Sequence, residues 1–283
     1  MTKTIDTLLE DLEGLFVDGH TFSEENLDHF CKNMKELLID RFTKKVRVPY
    51  LRMSLLGTGN RKLWYLMHKP LQREKVADMK FLYGDIVEEL LLLLVKESGH
   101  KVTEEQAEVT VNGVKGHIDC FIDDYLIDVK SASDFAFKKF SHGTLAENDS
   151  FGYIAQLSGY AHAYKTTKAG FLALNKVTGE RTIFKVRATD FMDAPQRVDE
   201  VKAIVALPNP PEEKCYEPVP HGKSGNYKLH TNCGYCPYKE QCWSSNNGGK
   251  GLRKFKYSSG VLYFTEVLNE PRVEEIFPTE DKD

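Results

Sequence analysis

Two aspartates place the tightest constraint on this chain. Asp119 and Asp128 lie at equal distances on either side of Asp123-Asp124, in the run from Val114 to Ser131. If Asp123-Asp124 is a two-residue hairpin turn, residue 122 faces 125, 121 faces 126 and 119 faces 128. Strand side chains alternate, so Asp119, Asp128 and Lys130 share one face, while Ile118, Cys120, Ile122, Tyr125, Ile127 and Val129 form a core face. Like charges directly opposite each other destabilise a strand pair. At about 5 Å and an effective dielectric of about 20, the repulsion is roughly 3 kcal/mol. A divalent cation is the natural offset. Asp123, Asp124 and Asp128 also suit plain turn and edge positions, whereas Asp119, mid-strand among apolar residues, needs a partner or an ion.

Composition narrows the class. The 283 residues suit one large domain or a core with appendages, with no repeat or low-complexity tract. A formal net charge of -4 gives no global basic field. Any nucleic-acid binding must then come from local basic patches and be salt-sensitive. The longest apolar run, Leu90 to Val95, is too short to cross a bilayer. The acidic N-terminus has neither a secretory apolar region nor transit-peptide character. Six cysteines, three of them clustered late, point to a reducing compartment and a metal site rather than disulfides. A cytoplasmic location, with no membrane partner, is expected.

The periodicity predicts helices over 5–17 and 21–43, the second opened by a Thr21–Glu24 capping box. A long helix over 75–97 ends at Ser98-Gly99. Strands are expected at 106–111 and 114–122, joined by Asn112-Gly113, and at 125–131. A helix over 151–166, a hairpin of 169–175 with 181–187, and a helix over 190–204 follow. Leu207 to Pro211 breaks regular structure, and the tail has one further strand at 261–267. This order gives an α/β fold, a mixed central sheet flanked by helices. Its expected parts are N-terminal helices (1–45), a core (46–206), a cysteine segment (207–247) and a tail (248–283).

Other candidates lie around the hairpin. Gly84 and Glu88 share a helical face. Glycine there costs about 1 kcal/mol against alanine, which close approach of another backbone would justify; Glu88 and Glu89 equally suit solvated surface charges. Cys215, Cys233, Cys236 and Cys242 have the density of a Zn²⁺ or iron-sulfur site. His221-Gly222-Lys223-Ser224 is no phosphate loop, since Glu217 stands where its first glycine belongs. Lys223, Asn226 and Lys228 fit either phosphate contacts or a solvated loop. Phe135, Phe137 and Phe140, interleaved with Lys138 and Lys139, suit stacking on a single-stranded end. Arg52, Arg61, Lys62 and Trp64 form a second candidate DNA contact set.

Gly84-x-x-x-Glu88, Gly116-His-Ile-Asp119, Asp128-Val-Lys130 and Gln156-x-x-x-Tyr160, in that order, resemble the motif set of the PD-(D/E)XK nucleases. The likeness covers roughly residues 50–245 and is greatest to RecB-like exonucleases, including phage recombination exonucleases and four-cysteine CRISPR-associated nucleases. It implies a restriction-endonuclease-like core. By the same resemblance Glu88, Asp119, Asp128 and the Val129 carbonyl would hold Mg²⁺ or Mn²⁺, in keeping with the oxygen preference of hard cations. Lys130 would orient the attacking water and stabilise developing charge, or else simply pair with Asp128. Gln156 and Tyr160 would hold the DNA strand or order the site, or else pack on the sheet; Ser131 and Ser133 would add backbone contacts.

The sequence departs from the family in three places. Ile118 replaces the proline, Glu88 stands where the four-cysteine branch has histidine, and no cysteine lies near Leu55 to Arg61. The missing fourth ligand falls first to Cys215, then to His230, then to Cys31. The resemblance thus implies a metal-dependent DNA exonuclease for recombination, replication or DNA processing, phage-encoded, acting on a free DNA end. A recombination or replication protein is its expected partner, and ring assembly is compatible with it. The alternatives are a structure-selective endonuclease and a non-catalytic DNA-binding module with a nuclease fold.

Overall fold

The computed structural model describes residues 3–17, 19–43, 48–70 and 75–277. Residues 44–47, where the expected N-terminal region gives way to the expected core, and the last six residues of the expected tail lie outside them. The chain divides into two compact units, one of residues 1–58 and 72–202, the other of 59–71 and 203–283. The N-terminal helices therefore belong with the sheet rather than apart from it. Residues 59–71, expected in the core, belong with the cysteine segment and the tail.

In the first unit, α1 (Leu8–Val17), α2 (Glu24–Phe42) and α4 (Lys75–Glu97) precede the sheet, while α3 (Asn60–His68) belongs to the second unit. Ser23, not Thr21, caps α2: its hydroxyl accepts the Asn26 N–H at 3.2 Å. Glu97 accepts the Ser23 N–H and hydroxyl, so the reach-back bond expected of Glu24 comes from a carboxylate remote in sequence.

The strands are β1 (Val102–Thr103), β2 (Glu108–Val111), β3 (Val114–His117), β4 (Cys120–Ile122) and β5 (Tyr125–Ala132). After α5 (Asp134–Ser141) and α6 (Tyr153–Tyr164) come β6 (Ala169–Asn175), β7 (Arg181–Lys185) and α7 (Ala194–Val205). The central sheet has the order β1-β4-β5-β6-β7, antiparallel throughout except for the parallel pair β5–β6. The Asp123-Asp124 turn sets the anticipated register, with Cys120 opposite Ile127 and Ile122 opposite Tyr125. The expected continuous meander is broken, however. β2 and β3 form a separate two-stranded ribbon, and the ladder between β4 and β5 stops at Cys120, one residue short of Asp119.

One face of the sheet carries Cys120, Ile122, Ile127, Val129 and Leu172, which pack with Val87, Leu91, Leu92 and Val95 of α4 and with Leu8 and Leu12 of α1. Alternation sends Asp128 and Lys130 to the opposite face. Two glycines there allow close approaches. A Cβ on Gly116 would stand 2.7 Å from the Tyr160 ring and 2.8 Å from Met53 Cβ. A Cβ on Gly57 would stand 2.1 Å from Gly152 Cα, so the two backbones cross in contact just before α6. Among the described residues, a Cβ on Gly84 would meet Ser131 Oγ at 3.7 Å and no backbone within 4 Å, so the close approach that would justify the glycine is not seen there.

The second unit contains α3 and a five-stranded sheet that the sequence reading reduced to a single strand. β8 (Val219–Pro220), β9 (Tyr227–Lys228), β10 (Arg253–Tyr257), β11 (Gly260–Glu266) and β12 (Glu275–Ile276) take the order β12-β10-β11-β9-β8. Asn226, just before β9, is buried, donating to Asn269 O and accepting the N–H groups of Leu268 and Asn269. It is therefore a structural hub and not a phosphate contact.

Candidate functional site

The end of β4 creates the site. Among the described residues no strand continues beside β5 where β4 ends at Cys120, and the Val129 N–H donates to Asp119 Oδ2 at 2.6 Å. Asp119 thus does not pair across a ladder with Asp128; its carboxylate substitutes for the missing strand. Asp128 is buried. Its Oδ1 accepts the Gln156 amide at 3.2 Å, while Lys130 forms an ion pair at Oδ2. That oxygen still receives no hydrogen bond of sound geometry. Glu88, from α4, accepts the Gln106 side-chain amide at 2.7 Å.

The three carboxylates sense one another. Burial, and then the charge of Asp119, push the Glu88 carboxyl well above its usual range. Burial and the Asp128 charge raise Asp119 to about 7, which Lys130 and the Val129 N–H only partly oppose. Burial by itself would depress the Lys130 ammonium, but Asp128 and Asp119 outweigh it and keep the amine firmly protonated. A buried and two half-buried carboxylates that repel one another match the donor chemistry of a hard divalent cation. Their placement is a different matter. Among the described residues, no three His, Cys, Asp or Glu side chains converge closely enough to hold a metal ion. Each carboxylate is instead turned to its own protein partner: Glu88 to Gln106, Asp119 to Val129, and Asp128 to Lys130 and Gln156. Holding an ion requires side-chain rotation here.

Gln156 and Tyr160, one turn apart on α6, are joined by a 3.1 Å hydrogen bond. Tyr160 is buried beneath Gly116, and Gln156 links it to Asp128, so the pair orders the carboxylate. Asp149 fixes the start of α6 by accepting the N–H groups of Gly152 and Ile154 at 2.9 and 2.7 Å. Sequence reasoning missed three contributors. Gln106 gave no signal. Tyr153, whose ring centroid lies 5.1 Å from Lys130 Nζ, sits one helical turn before Gln156 and was open to detection. Gly152 begins α6 at a φ of 77°, a left-handed position that suits glycine.

The proposed DNA-contact residues separate. Phe137 and Phe140 are buried on α5 and serve the core, whereas Phe135 is exposed. Ser133 is the α5 cap, accepting the Ala136 N–H, and Lys138 pairs with Asp134. Arg52 is exposed in the first unit. In the second unit, Trp64 is buried and donates to Leu207 O at 2.8 Å, so it offers no face to a base.

Arg61 and Lys62 accompany the thiols. Arg61 Nε donates to Cys242 Sγ at 3.2 Å. Cys215, Cys233, Cys236 and Cys242 interact electrostatically as one set: burial and the other three thiols push Cys233 up to about 12, and Cys236 is likewise raised by burial, with Lys62 opposing. Cys215 Sγ occupies the space next to Gly59, where a Cβ would approach it to 2.7 Å. His230 is otherwise engaged, its Nδ1 accepting the Asn232 N–H and its ring stacked on Tyr216. Cys31 is exposed on α2 of the first unit. Soft donors and flanking cations suit a metal-thiolate centre in chemistry, though the thiols, like the carboxylates, do not converge on one point as placed.

No protein-family model and no curated protein matches the chain. Among solved structures, the crystal structure of SSO0001 aligns over 76% of this chain and 94% of its own, at 16% identity and a TM-score of 0.40. The alkaline exonuclease LHK-Exo from Laribacter hongkongensis aligns over 61% and 91%, at 14% identity and a TM-score of 0.34. A phage-related exonuclease from Haemophilus somnus 129PT aligns over 56% and 92%, at 12% identity and a TM-score of 0.35. At such values the likenesses carry no argument about activity.

Proposed function

We propose that this chain is a metal-dependent deoxyribonuclease that hydrolyses phosphodiester bonds, acting as an exonuclease on DNA with a free end. The observation that carries the reading is the strand break at Asp119, which leaves two aspartates, Glu88 and a charged lysine around one open strand edge. Glu88, Asp119, Asp128 and the Val129 carbonyl are the groups to hold Mg²⁺ or Mn²⁺. Such an ion lowers the pKa of a bound water and offsets charge on the phosphate. Lys130, kept protonated by its neighbours, sits where negative charge on the phosphate can be stabilised. Gln156 and Tyr160 hold Asp128 in place. Cys215, Cys233, Cys236 and Cys242 would bind a structural Zn²⁺ or [4Fe-4S] group within the second unit.

Digestion of end-labelled single- and double-stranded DNA with Mg²⁺ or Mn²⁺ tests the activity, with covalently closed circles as the endonuclease control. Cleavage of linear DNA that spares closed circles is expected, and Asp119→Ala should abolish it with an unchanged circular-dichroism spectrum. Undiminished cleavage by that variant would falsify the site assignment. Metal-independent DNA binding without cleavage would favour the non-catalytic module. Elemental analysis with a visible absorption scan distinguishes zinc from iron.

A further inference from the structure

We infer that Phe151 and Phe135, with Lys139 between them, form a stacking platform for an unpaired nucleobase next to the carboxylate site. This rests on the nuclease reading only for its biological purpose; the platform itself stands on geometry. Phe151 is 64% exposed and Phe135 74% exposed, both close in sequence to elements that carry site residues. A lone surface phenylalanine needs no explanation, but Phe151 is the outer end of an aromatic ladder. It stacks on Tyr153 at 5.4 Å between centroids with 19° between ring planes. Tyr153 stacks in turn on Phe140 at 6.1 Å, and Phe140 meets Phe171 of β6 edge-on at 5.6 Å. The ladder runs from the buried sheet to solvent and holds the last ring by one face.

The same ladder reaches the site chemistry. Lys130 Nζ, the partner of Asp128, lies 5.1 Å from the Tyr153 centroid, so the residue beneath Phe151 touches the proposed catalytic lysine. Lys139 ties Phe135 to the segment that precedes Phe151. Its Nζ lies 5.5 Å from the Phe135 centroid and donates to Asn148 O at 2.9 Å and to Ser150 Oγ at 3.4 Å, beside Phe151. Two exposed aromatic rings with an ammonium nearby suit a nucleotide, which presents a flat π-face and a phosphate together. A base in a duplex has both faces stacked, so the ligand is an unpaired base at a single-stranded or frayed end.

The test uses the full chain in EDTA and a single-stranded oligonucleotide ending in 2-aminopurine, whose fluorescence is quenched by stacking. Wild-type protein should bind and quench it. Phe151→Ala should lose the quenching and bind about tenfold more weakly, within the about 5- to 100-fold expected for one lost stacked base. Phe151→Trp should restore both, and in cleavage assays the Phe151→Ala loss should fall mainly on KM. Absence of binding by wild-type protein, binding without quenching, or quenching that survives in Phe151→Ala overturns the platform. Melting curves identify any variant that has failed to fold, and Phe135→Ala then provides the same readout from the other ring. Quenching that follows the expected pattern in a protein that cleaves nothing removes the nuclease reading and leaves the platform standing. Cleavage without quenching does the reverse.

Discussion

Asp119 bears a charge that this fold tolerates poorly, so Asp119→Asn should stabilise the protein while destroying the proposed site. Its carboxyl is held at about 7 against an ordinary 3.8. Each tenfold change in proton affinity is worth about 1.4 kcal/mol, so the ionised form costs the fold at most ~4 kcal/mol. The sign follows from proton counting. The folded protein holds this proton more tightly than the unfolded chain does. Stability is therefore full below 3.8 and declines as pH rises through about 7. Asparagine removes the charge yet keeps an oxygen to accept the Val129 N–H, now bonded at 2.6 Å. Allowing for relaxation around the half-buried side chain, the gain at pH 8 without metal should be ~2 kcal/mol, or about 4–8 °C in Tm. Thermal denaturation in EDTA measures it, and the advantage should shrink as the pH falls toward about 4. A lower Tm for Asp119→Asn at pH 8, or a difference that ignores pH, refutes the reasoning.

Gly59→Ala should drive the Cys215 thiol out of its place, since the added carbon would lie 2.7 Å from the sulfur; lower zinc or iron content and faster thiol labelling would report it. Gly116→Ala should cost about 1–3 kcal/mol by forcing Tyr160 and Met53 apart, which chemical denaturation measures. Trp64→Ala should destabilise the second unit by about 3–5 kcal/mol in unfolding experiments, while leaving the salt dependence of DNA binding unchanged, because the indole is buried.

What was legible in the sequence follows from where local signals agree with the fold. The apolar run Ala169–Asn175 is a strand over its whole length, and the long helix spans Lys75–Glu97 as its periodicity requires. The Asp123-Asp124 turn set its own register because a two-residue hairpin leaves no slack. The break at Ile118-Asp119 was hidden because no glycine or proline marks it. Ile118 is buried like a strand residue, and its N–H to Ala107 O, with the Gln106 N–H to Asp119 O, carries the β2–β3 register right up to the break. The sheet of the second unit escaped notice because three of its five strands are two residues long, below the reach of any period. Trp64 looked like a surface contact beside basic residues, yet it and Tyr65 are both buried. Their burial depends on Tyr238, which is distant in the chain and stacks on Tyr65 at 5.3 Å. Phe135 and Phe137 differ in fate only because a helix, not a strand or loop, carries them.

Ion binding and deprotonation should prove to be one equilibrium here. A hard cation needs ionised carboxylates, yet burial holds Glu88 and Asp119 toward their protonated forms. Binding must therefore release protons at neutral pH and weaken as the solution is acidified. At about 100 times its Kd, an ion bound only by the folded protein adds ~2.7 kcal/mol of stability. Mg²⁺ or Mn²⁺ should then raise Tm clearly at pH 8 and much less at pH 5, with proton release visible by calorimetry in buffers of different ionisation enthalpy. Asp119→Asn and Glu88→Gln should each blunt the response, because each removes a charged oxygen donor. A rise in Tm that is equal at both pH values, or that survives in both variants, would place the ion somewhere other than the open edge of β5. The carboxylates would then be a cost the fold carries without the ion to explain it.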